Sequence, residues 1–178
     1  MSNNPELTLN ELLRRLENAI RPGTIAEVDH TAARVRVQSG ELLTDWRPWF
    51  ETRAGNVRTW CPPSVGEQCL VLSPGGDMAA GWVLVGAPST ANPTPSSSPN
   101  VHRTLYPDGT VIDYDHAAHS LDIVLTAGSA AGITADSITL HGAVAVIGPS
   151  LTHNGINVGS THAHSGTTPG PANTGGPA

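Results

Sequence analysis

Near the end of the chain, in Gly159-Ser160-Thr161-His162-Ala163-His164-Ser165-Gly166, two histidines stand two residues apart. In an extended backbone, residues i and i+2 point to one face, so His162 and His164 present two imidazoles side by side. Imidazole is the commonest metal ligand and suits Fe, Zn, Cu and Ni. Two ligands make an incomplete site, and no Cys, Asp or Glu follows Asp136. A three-fold axis would supply the rest. Three pairs offer six nitrogens, three above three, an octahedron that suits a six-coordinate ion such as Fe(II) better than tetrahedral structural zinc. Zinc or nickel on the same nitrogens is the alternative. A His-x-His pair is equally at home in a solvated surface loop, so the elements that would position it must decide.

Composition bears on those elements. Charged residues make up 13% of the 178, against about a quarter in an average globular domain. All nine basic residues are Arg, and the net charge is -6. That balance argues against a nucleic-acid partner, which needs basic patches. No apolar run approaches the length that spans a bilayer, and the first residues lack the pattern of a signal peptide; synthesis and folding in the cytoplasm are expected. Two cysteines, Cys61 and Cys69, are too few for a disulfide framework. Buried free thiols are expected of them, a pair facing across neighbouring strands being the alternative.

Residue types are distributed unevenly. All four Trp, both Tyr and the one Phe lie at or before Tyr114, and no charged residue follows Asp136. The last third is Gly, Ala, Ser, Thr, Asn and small aliphatics, too slight to bury much apolar area alone. Disorder usually goes with high charge. Here charge is absent and β-branched residues recur, so residues 103–164 are expected to share a core with other copies of the chain. The final dozen residues read as coil.

In chain order, residues 1–22 form an N-terminal helical segment, with the helix over 8–21. Thr8 is its N-cap, Glu11 completes a capping box, and Leu7 and Leu12 form a staple. Leu9, Leu12, Leu13, Leu16 and Ile20 recur at helical spacing, and Pro22-Gly23 stops the run. Residues 23–87 read as a small Greek-key barrel of the OB type. Its strands are expected at 24–28, 33–37, 42–50, 56–60, 67–72 and 80–85. Residues 88–102 are a Pro/Ser linker. Residues 103–160 carry short β runs at regular spacing: Thr110–Tyr114, Ser120–Thr126, then runs within 131–147 and 155–158. They turn at Tyr106-Pro107-Asp108-Gly109 and at His116–His119. The pattern is that of a β-solenoid. Three such chains wound on one axis would pair every strand and leave no open edge. Residues 161–178 form the apex and tail.

Several motifs, in this order and spacing, carry a family resemblance. They are Thr44-Asp45-Trp46-Arg47-Pro48-Trp49 with Arg53-Ala54-Gly55, Trp60-Cys61-Pro62-Pro63, Gly66-Glu67-Gln68, Leu72-Ser73-Pro74-Gly75-Gly76-Asp77, Tyr106-Pro107-Asp108-Gly109-Thr110 and Thr161-His162-Ala163-His164-Ser165-Gly166. Over almost its whole length the chain resembles phage baseplate assembly protein V, the central spike of contractile tails and R-type pyocins, related to type VI secretion spikes. The resemblance implies an all-β homotrimer. An N-terminal helix and OB-fold would attach to the baseplate hub and tail tube, and an intertwined triple-stranded β-helix would follow. At the apex, His162 and His164 of three chains would hold one iron ion. It further implies a virion or pyocin component whose role is mechanical, piercing the outer membrane of a target bacterium when the sheath contracts.

Two other function classes are weighed against this. A hydrolytic metal enzyme needs an open coordination position and a nearby acid or base; six protein ligands leave none, so no catalysis is expected. A receptor-binding fibre would present aromatic or charged groups at its tip, and the apex has neither. A type VI secretion spike component is the remaining relative of the main reading.

Overall fold

The structure, a computed structural model, describes residues 8–159 and His162. Helix α1 spans Leu9–Ala19, with Thr8 as N-cap; the Thr8 hydroxyl accepts from the Glu11 N–H at 3.4 Å. The Glu11 carboxylate is taken up by the Arg14 and Arg15 Nε donors, at 2.8 and 2.7 Å, and Arg14 first, then Arg15, lowers its pKa to about 2. The expected staple involves Leu7, outside the described residues. The helix runs straight into strand β1, Ile20–Asp29, so Pro22-Gly23 is not its stop. Pro22 is tolerated in the strand because it pairs there with one neighbour only. Residues Ile20–Thr24 of β1 face β4 (Gln68–Leu72), and β2 (Arg34–Ser39) joins from Thr24 onward. A proline needs just such a half-open position, having no N–H to give. Gly23 lies against Val37 and the Gln38 carbonyl with no room for a Cβ.

Strands β3 (Leu42–Leu43) and β5 (Trp82–Ala87) complete an antiparallel sheet of order β3-β2-β1-β4-β5. The Trp-rich segment closes it. Arg47 and Val35 exchange backbone hydrogen bonds at 2.8 Å, and Val83 bonds to Pro48 and Phe50 at 2.9 Å. Residues 47–50 thus bridge β2 to β5, which completes a barrel of the expected type. Ile25, Val35, Val37, Trp49, Cys69, Val71 and Val83 fill its interior. The β1–β2 turn rests on Asp29, whose Oδ1 accepts from the Thr31 and Ala32 N–H groups at 2.9 Å.

The expected strand at 56–60 does not form; one bridge, Ala54 to Arg58, is all that is paired there. Glu51 organises this loop instead. Its carboxylate accepts from the Trp49 indole at 2.9 Å, the Thr59 hydroxyl at 3.0 Å and the Cys61 N–H at 2.9 Å. Trp60 is thereby held against Trp49, ring centroids 5.5 Å apart. Cys61, pinned in the loop, is exposed, whereas Cys69 is buried on the inner face of β4, and both are free thiols. Burial pushes the Cys69 thiol up to about 11. The Cys61 N–H, foremost, and then the Trp49 indole hold the Glu51 carboxyl below its ordinary value. A depressed carboxylate stabilises the fold above its unfolded pKa, and that stability is lost as pH falls through the folded one. Glu51→Ala should therefore cost about 1–3 kcal/mol near neutrality and flatten the acid limb of the stability–pH curve. Denaturant titration followed by Trp fluorescence at neutral and acid pH reads both.

After the Pro/Ser segment comes a three-stranded meander: β6 (Val101–Leu105), β7 (Val111–Asp115) and β8 (Ser120–Val124). Both expected turns are present. Gly109 donates to the Tyr106 carbonyl at 2.9 Å with φ at 88°. The β7–β8 turn repeats the device at Asp29: the Asp115 Oδ1 accepts from the Ala117 and Ala118 N–H groups, and His119 takes a left-handed φ of 56°. Contacts divide the chain after Ala130. In the second unit, the runs expected within 131–147 form no strand in the single chain. Its only described strands are β9 (Thr152–His153) and β10 (Ile156–Asn157), a small hairpin turned by Asn154 and Gly155. A strand needs a partner for its backbone groups, and one copy of this segment offers none.

Candidate functional site

The last described loop holds the first histidine of the pair. Hairpin β9–β10 is followed by Val158, whose N–H donates to the Leu151 carbonyl at 2.7 Å; the Gly159 N–H donates to the Asn157 side chain at 2.9 Å. The His162 N–H donates to the Gly159 carbonyl at 3.1 Å, and its ring Nδ1 meets the same oxygen at 2.7 Å. A carbonyl only accepts, so Nδ1 carries the proton. That is the tautomer in which Nε2 bears the lone pair, and it is the usual outer contact of a metal-binding imidazole. The donor chemistry at His162 therefore fits a metal ion. His164, the second expected ligand, lies outside the described residues. Among the described residues, no three His, Cys, Asp or Glu side chains of one chain come together. The Gly159 carbonyl was not singled out from sequence, though its place three residues before His162 is the signal for such a turn.

Around this loop lies a shallow cleft lined by Val146, Leu151, Val158 and Gly159 together with His162. The residues leading to it leave their apolar side chains in the open. Ile133 is 80% exposed, Leu140 69% and Ile147 96%, and Val144, Val146 and Ile156 are also exposed. Every large aliphatic residue described from 131 to 158 is in this state. An aliphatic set this continuous and this bare marks an interaction surface.

Two more apolar faces are open. Helix α1 buries none of its side chains; Leu9 and Leu16 are each more than 70% exposed. On the outside of the barrel, Ile20 pairs with Leu72 and Leu72 with Trp82, while Pro22, Leu70 and Leu84 form the next row. Ile20, Trp82 and Leu84 are exposed. This face was missed from sequence, yet Cys69-Leu70-Val71-Leu72 and Trp82-Val83-Leu84-Val85 are unbroken apolar runs, the mark of strands covered on both sides. Trp46, within the closing segment, is partly exposed and lies under the Arg36 guanidinium at 5.9 Å. No helix among the described residues is long and apolar enough to cross a membrane.

The comparisons with known proteins agree with this arrangement. A family model described as the type VI secretion system/phage-baseplate injector OB domain matches residues 21–87, the stretch that folds as the barrel. The spike protein of Escherichia phage P2 is 43% identical over 141 residues, which cover 79% of this chain. The chain spans 64% of that relative's length.

Proposed function

We propose, from the premise that this chain belongs through its injector OB domain to the phage baseplate spike family, that it is the central spike of a contractile tail. Three copies would form it. Residues 103–160 would wind into a triple-stranded β-helix, and His162 and His164 of each copy would hold one iron ion at the tip. The ion would supply a six-coordinate junction between three chain ends; the Gly159 carbonyl keeps the His162 ring in its ligating tautomer. The role is mechanical, and no catalysis is proposed. Sheath contraction would drive the stiff point through the outer membrane of a target cell. The open faces of α1 and of the barrel would seat the spike on the hub and tail tube, in a virion or pyocin particle.

The observation that carries this reading is the bare aliphatic set at 131–158. Leaving such side chains in water forgoes about 1.5–3 kcal/mol each, and burial against like chains around one axis recovers it. The test is mass in solution. Sedimentation or light scattering of the purified chain at micromolar concentration should give three chains, and a monomer would defeat the reading.

A further inference from the structure

The meander β6-β7-β8 has two different faces. Residues opposite one another in an antiparallel pair share a face. His102, Tyr114 and Leu121 make one row, and Thr104, Ile112 and Ile123 the next. Tyr114, Leu121 and Ile123 are exposed there. On the other face, Arg103, Asp113 and Asp122 lie in one row, flanked by Val101, Asp115 and Ser120 on one side and by Leu105, Val111 and Val124 on the other. The linker crosses that charged side, where an Arg103 guanidinium N–H donates to the Pro95 carbonyl at 3.3 Å. The face of Tyr114, Leu121 and Ile123 carries no Asp, Glu or Arg side chain.

The charged row is unbalanced. Arg103 is spent on Asp113, with its Nε at 2.8 Å from Oδ1. Asp122 stands beside Asp113, a like charge directly opposite, which is unfavourable, and it has no ion-pair partner among the described residues. Both outer edges of the meander, the far sides of β6 and β8, are without a paired strand among the described residues.

These three features have one joint solution. Resting on the trimeric reading above, we infer that β8 of each copy pairs with β6 of the next, closing three meanders into one ring. The contact is head-to-tail, so a three-fold axis closes it and leaves no edge. β6 and β8 run the same way, so the new pair is parallel. The apolar rows turn inward: His102, Tyr114 and Leu121 form one layer, and Thr104, Ile112 and Ile123 the layer beside it. The charged row turns outward and becomes continuous around the ring. Asp122 then meets Arg103 of the next copy, directly or one residue pair along, a diagonal within the reach of a long guanidinium side chain. Each Arg103 then lies between two carboxylates, its own Asp113 and the neighbour's Asp122, so every Asp122 gains a guanidinium beside it, while acids still outnumber arginines two to one around the ring.

Cysteine pairing tests this. In a Cys61→Ser background, Asp122→Cys is combined in turn with Val101→Cys, Arg103→Cys or Leu105→Cys, three positions on one face that span the possible registers. Oxidised under native conditions, one combination should run as a covalent trimer on a denaturing gel, while each single-cysteine control stays monomeric. Positions 103 and 122 of one chain are separated by β7, too far for a disulfide within the chain. Native mass is measured on every variant. Trimers in solution with no interchain bridge in any of the three combinations would overturn the ring and leave the trimeric spike standing. A bridge formed within one chain would overturn the ring as well. Monomers in solution would remove both.

Discussion

In a His162→Ala, His164→Ala variant, metal content should fall from one iron per three chains to none, while the mass in solution stays that of a trimer. Ligand counting gives this result. On a three-fold axis each substitution removes three nitrogens together, so either one alone leaves half an octahedron. No charged or thiol side chain follows Asp136 to take their place. Selection of iron must come from geometry, because nitrogen ligands bind nickel, copper and zinc more strongly than iron(II). Six imidazoles fixed three above three would favour a six-coordinate ion over zinc, which prefers four. The trimer should persist because the proposed shaft would be held by aliphatic side chains such as Ile133, Leu140 and Ile147, which are bare in the single chain. Elemental analysis beside sedimentation reads both quantities. Retention of one iron per three chains in the double variant would place the ion elsewhere, and loss of the trimer together with the metal would make the ion a folding determinant rather than a tip lock.

The parts of the fold legible in the sequence are those whose signals are local. The Thr8 cap, the Asp115 turn and the Pro107-Asp108-Gly109 turn each act over three or four residues and lie where the sequence places them, and the Asp29 turn falls in the gap between the strands expected at 24–28 and 33–37. The barrel strands followed from alternation, which works because one face of each packs inward. Two local signals misled. Pro22-Gly23 looks like a helix stop, but tertiary pairing with β4 carries the chain through it as strand. Asn56–Trp60 has strand-forming residues, yet Glu51 draws Thr59 and Cys61 into a loop around its carboxylate. That contact spans ten residues, and no pattern announces it. Cys61 followed the loop outward, so only one of the two thiols is buried. At the histidine pair, types and spacing single out the candidate donors. The Gly159 carbonyl that sets the tautomer of His162 is a backbone group, which residue types do not announce. The runs between 131 and 147 are the opposite case: their β character is plain in composition, but a single chain has nothing for them to pair with.

The same absence of partners gives the second large effect. Replacing Ile133 and Ile147 together by Asp should abolish the trimeric shaft and leave the barrel folded. Each isoleucine is almost wholly exposed in one chain, 80% and 96%. If three copies meet at an axis, each position buries three side chains, worth about 4–9 kcal/mol per trimer at about 1.5–3 kcal/mol apiece. Aspartate forfeits that and also brings three carboxylates together away from water, where each must be paired or protonated. The expected loss at two positions, about 9–18 kcal/mol per trimer, is as large as the whole stability of an ordinary domain, about 5–15 kcal/mol. The barrel has its own buried core in Ile25, Val35, Val37, Val71 and Val83, none of which lies in the altered segment. Trp fluorescence and denaturant unfolding should therefore report an unchanged barrel, since every Trp precedes the shaft. Limited proteolysis should remove residues beyond 130 from the variant and spare them in the parent protein. The parent shaft should also unfold slowly, because in the proposed trimer nearly all its contacts would join different chains and be lost together. Equal resistance of parent and variant to protease would mean that these isoleucines face water in the assembled protein as they do in the single chain, and the shared core would have to lie on other residues.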